Sequence, residues 1–186
     1  NNIFEIVGAS GYTYRSDDNG STWNRVRTTT GGSPWNYRRN LYGVSFGNNT
    51  FVAVGDHGKI VRSTNYGASW NNVTTGYHPY TYGDDYLRGV TFGNNTFVAV
   101  GYSGQIIRSI DNGISWDNIT HVDDTNLYGV TFGNDTFVAV GSGGMIIRST
   151  DNGSNFSEVT SEISNTLLNG VGFGNNTFVA VGASGK

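Results

Sequence analysis

Apolar and polar positions alternate along this chain in short runs that glycine or asparagine interrupts every few residues. Between residues 87 and 120 the runs fall at 87–92, 96–100, 105–109 and 115–120, with Gly93-Asn94-Asn95 after the first and a Gly-x-x-Gly segment, Gly101 to Gly104, after the second. Runs rich in Val, Ile, Phe and Thr and bounded by turn residues predict four antiparallel strands joined by hairpins. No segment carries the apolar period of a helix over helical length. One four-stranded sheet cannot hide both faces, so it must stack on neighbours of its own kind.

The neighbours are written into the chain as repeats. The segment Asn48-Asn49-Thr50-Phe51-Val52-Ala53-Val54-Gly55 returns at 94–101, at 134–141 with Asp135 for the second asparagine, and at 175–182, and a weaker copy occupies 1–8. The starts at 1, 48, 94, 134 and 175 describe one repeat domain over residues 1–186, with a period typical of propeller blades. Radial stacking protects sheet edges, and the expected fold is all-β: a β-propeller of four-stranded antiparallel blades, about four per chain. The strand inventory is four first, five second, four third and four fourth strands, which leaves one second strand surplus. A four-bladed monomer with one terminal strand displaced satisfies this count. Two chains that exchange ends and close a larger ring as a homodimer satisfy it too, and near-identical repeats favour such domain swapping.

A second motif recurs between the third and fourth strands. It reads Ser16-Asp17-Asp18-Asn19-Gly20-Ser21-Thr22-Trp23, then Ser63-Thr64-Asn65-Tyr66-Gly67-Ala68-Ser69-Trp70, Ser109-Ile110-Asp111-Asn112-Gly113-Ile114-Ser115-Trp116 and Ser149-Thr150-Asp151-Asn152-Gly153-Ser154-Asn155-Phe156. This resembles the Asp-box, or BNR repeat, of sialidase-like propellers. The carboxylate or amide can accept turn N–H groups, glycine can take positive φ, and the ring can pack between sheets. A structural role is therefore expected of Ser16, Asp18, Gly20, Trp23 and their counterparts. A calcium site is not, because each box offers too few acidic oxygens and Asn65 replaces the acid in one. The Gly-x-x-Gly-x-Ile-x-Arg-Ser rhythm also resembles the Asp-box propellers of photosystem II assembly factors, and that resemblance implies a non-enzymatic protein-binding scaffold.

Composition narrows the function classes. With 11 Lys+Arg against 14 Asp+Glu and a net charge of -3, nucleic acid is not an expected partner. No stretch reaches the roughly 20 apolar residues of a membrane-spanning helix. No secretory leader is legible in the numbering. The absence of cysteine excludes thiolate chemistry and assigns no compartment, leaving an extracellular or periplasmic setting open.

Functional candidates lie where the repetition breaks. Two long fourth-to-first connections carry Trp35, Tyr37 and Arg38, then Tyr77, His78, Tyr80, Tyr82, Asp84, Asp85 and Tyr86. They are expected on the same face as the Gly-x-x-Gly loops bearing Asp56, His57 and Tyr102. Aromatic rings rimmed by polar groups suit a saccharide or a protein segment, and the same rings could instead close the channel by packing. Arg15, Arg62, Arg108 and Arg148 precede the four boxes and read as repeated structural donors rather than an anion ring. His57, His78 and His121 lack metal-site spacing, so neither metal nor cofactor is expected. The sialidase resemblance would require an arginine cluster, an acid and a tyrosine nucleophile, yet Glu occurs only at 5, 158 and 162. Asn-x-Ser/Thr triplets at Asn48, Asn94, Asn134 and Asn175, with others at Asn72, Asn118 and Asn155, read as turn formers. The expected function is a non-catalytic binding or assembly scaffold. The alternatives are a sialidase-like glycoside hydrolase and a purely structural or engineered repeat without ligand.

Overall fold

The structure, a computed structural model, describes residues 2–28, 40–73, 86–119, 124–163 and 165–183. Its strands form five antiparallel sheets in chain order. The first holds β1 (Phe4–Val7), β2 (Tyr12–Ser16) and β3 (Asn24–Arg27), and the second holds β4 (Leu41–Gly47), β5 (Thr50–Gly55), β6 (Ile60–Ser63) and β7 (Asn71–Val73). The third comprises β8 (Leu87–Gly93), β9 (Thr96–Gly101), β10 (Ile106–Ser109) and β11 (Asp117–Ile119). The fourth comprises β12 (Leu127–Gly133), β13 (Thr136–Gly141), β14 (Ile146–Ser149) and β15 (Ser157–Glu158), and the fifth is the hairpin of β16 (Leu168–Gly174) and β17 (Thr177–Gly182). Among the described residues the strands are those read from the sequence, and the four-stranded sheets have the form of propeller blades.

Strand ends differ slightly from expectation, for local reasons. Gln105 is not part of the third strand because its N–H closes the preceding turn on the Tyr102 carbonyl. Ser115 is not part of the fourth because its N–H bonds Asp111 inside the box. The hairpins after the first strands turn through Asn48 and Asn49, Asn94 and Asn95, Asn134 and Asp135, and Asn175 and Asn176, all at positive φ. Two consecutive left-handed residues make the tight turn that matches strand twist. Asn72 and Asn118 depart from the turn reading: they lie within β7 and β11.

Stacking supplies the cores. Every residue of β5 and of β9 is buried, because each strand is covered on both faces by adjacent sheets. Ile3, Val7 and Val26 of the first sheet and its flank meet Phe51, Ala53, Val61 and Trp70 of the second. The second meets the third as Val52, Val54 and Ile60 against Phe97, Ala99, Ile107 and Trp116. The third meets the fourth as Val98, Val100 and Ile106 against Phe137, Ala139, Ile147 and Phe156. Each large side chain so buried contributes about 1.5–3 kcal/mol. The first strands come closest of all: a Cβ placed on Gly43 would sit 3.2 Å from the backbone of Arg88, Gly89 and Val90. Small residues at that point let β4 and β8 converge on the inner side of the stack.

Candidate functional site

The first strands carry a repeated irregularity. Between Leu41 and Gly43, Leu87 and Gly89, Leu127 and Gly129, and Leu168 and Gly170, the register with the second strand skips one residue. The residues passed over are Tyr42, Arg88, Tyr128 and Asn169. A bulge of this kind re-aims its side chain out of the sheet alternation. Here it delivers three large side chains to the rim where the Gly-x-x-Gly loops turn.

Those loops are tied to the residue preceding each first strand. Asp56 N–H bonds the Asn40 carbonyl at 3.0 Å, Tyr102 N–H the Tyr86 carbonyl at 2.9 Å, and Ser142 N–H the Asn126 carbonyl at 2.9 Å. Asn126 also accepts Ser103 N–H of the preceding loop on its side-chain Oδ1 at 2.9 Å. Tyr86 stands where Asn40 and Asn126 stand in neighbouring repeats, and its ring enters the space between loops instead.

A continuous aromatic strip results. Tyr86 lies 6.4 Å from Tyr42, 5.7 Å from His57 and 5.2 Å from Tyr102, centroid to centroid. Tyr102 in turn meets Tyr128 edge-on at 6.0 Å, and the Tyr128 hydroxyl is 3.1 Å from Ser142 Oγ. The Arg88 guanidinium sits over the Tyr42 ring at 4.3 Å and faces Tyr102 at 5.7 Å. Among the described residues Arg88 makes no ion pair. At the strip's end the buried Asp56 accepts Asn40 N–H on Oδ2 at 2.6 Å. Burial, reinforced by the negative charge of Asp56, pushes the Tyr42 hydroxyl above the usual tyrosine range. A cavity of about 610 Å³ adjoins Ser142 and is bounded by Asp124, Asn126, Met145 and Glu158.

Of the candidates read from the sequence, Asp56, His57 and Tyr102 are brought together here. Trp35, Tyr37, Arg38, Tyr77, His78, Tyr80 and Tyr82, with Asp84, Asp85 and His121, lie outside the described residues. Tyr42, Arg88 and Tyr128 were not anticipated. Their signal was one position of the first-strand repeat in which arginine replaces tyrosine.

The boxes are occupied by their own turns. Asp18 accepts Thr22 N–H at 2.9 Å, Thr22 Oγ1 at 2.6 Å and Ser16 Oγ at 2.7 Å, while Gly20 N–H bonds Ser16 Oγ at 2.9 Å. The hydrogen bonds from Thr22 and Ser16 lower the Asp18 carboxyl to about 2. Asn155 and Ser149 likewise lower Asp151 to about 2. At Asp111 burial opposes ionisation, but the bonds from Ser115 and Ser109 outweigh it and the carboxyl is lowered. Asn65 reproduces the geometry without charge by accepting Ser69 N–H at 3.0 Å and donating to Ser69 Oγ at 2.8 Å. Arg15 and Arg62 are structural donors, each bonding a carbonyl of the next sheet's box, Tyr66 and Asn112, at 2.7 Å. Trp23 departs from the expected packing between sheets: among the described residues no sheet covers that face of the first sheet, and the ring is exposed.

Neither a family model nor a curated protein matches this chain. Solved structures do. A structure of YCF48 bound to D1 peptide shares 20% identity at a TM-score of 0.69, covering 96% of this chain and 56% of that one. YCF48 from Cyanidioschyzon merolae gives 19% identity and a TM-score of 0.70, covering 99% of this chain and 61% of the other. An ancestral GH74 enzyme gives 18% and 0.65 over 87% of this chain but only 25% of its own. These likenesses establish the fold, that of an Asp-box repeat β-propeller. The chain spans between 56% and 61% of the YCF48 chains it matches.

Proposed function

We propose that this chain is a non-catalytic binding scaffold, a propeller of about four blades whose aromatic strip grips an extended protein segment. The observation that carries this reading is the Arg88 guanidinium held between the Tyr42 and Tyr102 rings at 4.3 and 5.7 Å. Flanking rings fix the plane of a guanidinium and leave its N–H edge for a carboxylate, either an acidic side chain or a chain terminus. Tyr86, Tyr102 and Tyr128 offer neighbouring apolar surface with hydroxyl handles, the mixture that peptide-binding surfaces use. The YCF48 structure with a bound D1 peptide supports a peptide as the class of ligand.

A glycosidase needs two carboxyl groups flanking one bond. Glu5 instead faces the Gly67 turn of the second sheet, while Glu158 and Asp124 border the cavity beside Ser142 rather than the aromatic strip. A saccharide remains the competing ligand class for the same tyrosines.

The test is selection of linear peptides on the immobilised chain, followed by affinity measurement with Arg88→Gln. Recovered peptides should carry a carboxylate, and the variant should weaken them at least about tenfold, the worth of one charge-assisted hydrogen bond. Glycan-array binding without peptide capture would replace this reading with the saccharide one. Hydrolysis of a sialoside would overturn both.

A further inference from the structure

The cavity of about 610 Å³ beside the aromatic strip is walled by the connection into β12, by the Ser142–Gly144 turn with Met145 behind it, and by the outer edge of the fourth sheet from Glu158 to Ser161. All of these elements lie between β11 and β16. The cavity joins the strip at Ser142, whose Oγ is 3.1 Å from the Tyr128 hydroxyl. Two carboxyl side chains border it, Asp124 from the connection and Glu158 from β15, together with the hydroxyls of Ser142 and Ser161. No lysine or arginine is among the described residues that line it.

This chemistry arises where the fourth sheet departs from the repeat. Glu158 follows its box aromatic by the same offset as Asn72 and Asn118, so a carboxylate stands where the second and third sheets carry a neutral amide. Met145 stands where the second sheet has Lys59 and the third has Gln105. Lys59 is buried, and its Nζ reaches to 3.4 Å from Thr28 Oγ1, just past β3 of the preceding sheet. An ammonium on a four-carbon stem is therefore a group that this rim position accommodates, and the second sheet supplies it from its own chain. In the fourth sheet the corresponding side chain is an uncharged thioether, and the carboxylates border the space beside it.

We infer that this cavity takes the ammonium of a lysine side chain from the bound protein segment. An ammonium offers three donors and no acceptor, which matches a wall of carboxylates and hydroxyls, and its methylene stem packs along Met145 and Val159. The inference rests on the strip reading and fixes the register of the segment. A segment with its carboxylate on Arg88 passes Tyr102 and Tyr128, in steps of 5.7 and 6.0 Å, before it reaches Ser142. At about 3.4 Å per extended residue each step spans about two residues, which sets the lysine about four to six residues from the acidic group. Opposite charges at the two ends of the strip thus select a segment that carries both.

The test uses synthetic copies of the linear peptides selected on the chain, each made with its lysine intact and with norleucine in its place. The expected result is a lysine at that spacing from an acidic residue, and affinity reduced about tenfold when norleucine replaces it. Asp124→Asn with Glu158→Gln keeps shape and removes charge: it should weaken the lysine peptide by a similar factor and leave the norleucine peptide unchanged. Met145→Lys, which gives the fourth sheet the cation of the second, should abolish the preference for lysine with β circular dichroism intact. Selected peptides without a lysine overturn the inference, as does a norleucine penalty equal in the parent and in the Asp124→Asn, Glu158→Gln chain. In either case sensitivity to Arg88→Gln would leave the strip reading standing. Lysine-dependent binding indifferent to Arg88→Gln would instead overturn the strip and keep the cavity, and capture of no peptide would overturn both.

Discussion

Glu5 stands where the other sheets place Val52, Val98, Val138 and Val179, so a carboxyl occupies an apolar seam. Burial pushes it up to about 7, against the opposing influence of Arg15. A carboxyl raised in the folded state binds more protons there than in the unfolded chain between its ordinary value of 4.5 and about 7. Its favourable contribution is therefore complete below the ordinary value and lost as pH rises through about 7. Glu5→Val should stabilise the chain by about 1–2 kcal/mol at pH 8, after allowance for solvent screening, and flatten the decline of stability between pH 4.5 and about 7. Urea denaturation at pH 5 and pH 8 checks both statements. The box acids behave oppositely: Asp18 and Asp151, lowered to about 2, contribute above their ordinary range and lose that contribution as pH falls toward 2. Asn65 shows that the box needs an acceptor more than a charge. Asp111→Asn should cost at most about 0.5 kcal/mol and Asp111→Ala about 1–2 kcal/mol, measured by the same denaturation.

At the scale of the element, each sheet depends on the neighbour that covers it. Trp70 is 1% exposed and packs beside Phe51 at 6.3 Å between ring centroids. Trp70→Ala should cost about 3–5 kcal/mol through the cavity it leaves, read as a lowered midpoint in chemical denaturation. The turn chemistry that positions these rings was legible in the sequence, because Ser, Asp or Asn, Gly and the aromatic recur at fixed offsets and each has a local bond to make. So were the hairpins, from paired asparagines that tolerate positive φ. The bulges in β4, β8, β12 and β16 were not. Strict alternation of apolar and polar positions does not reveal a residue passed over in the register, and β-sheet sequence patterns place Tyr42, Arg88 and Tyr128 on an ordinary strand face. Tyr86 was seen as part of a loop, but its departure from the asparagine at 40 and 126 mattered only once ring distances placed it between Tyr42, His57 and Tyr102.

Across the whole molecule, repetition makes a rigid frame and departures from repetition make the site. The frame comes from residues that recur from repeat to repeat, such as the inner glycines, the Val-Ala-Val strands from the second sheet onward and the four boxes. The strip comes from positions where one repeat differs, with Tyr86 for asparagine, Arg88 for tyrosine and Tyr102 for serine. This division predicts that binding can be removed while the frame is left whole. The direct test restores the repeat at those three positions, as Tyr86→Asn, Arg88→Tyr and Tyr102→Ser, and titrates the product against peptides selected on the unaltered chain. The account predicts a melting temperature within a few degrees of the parent and affinity reduced by at least about a hundredfold, or about 2.8 kcal/mol. Unchanged affinity in the folded variant would contradict it, since the ligand would then be held elsewhere.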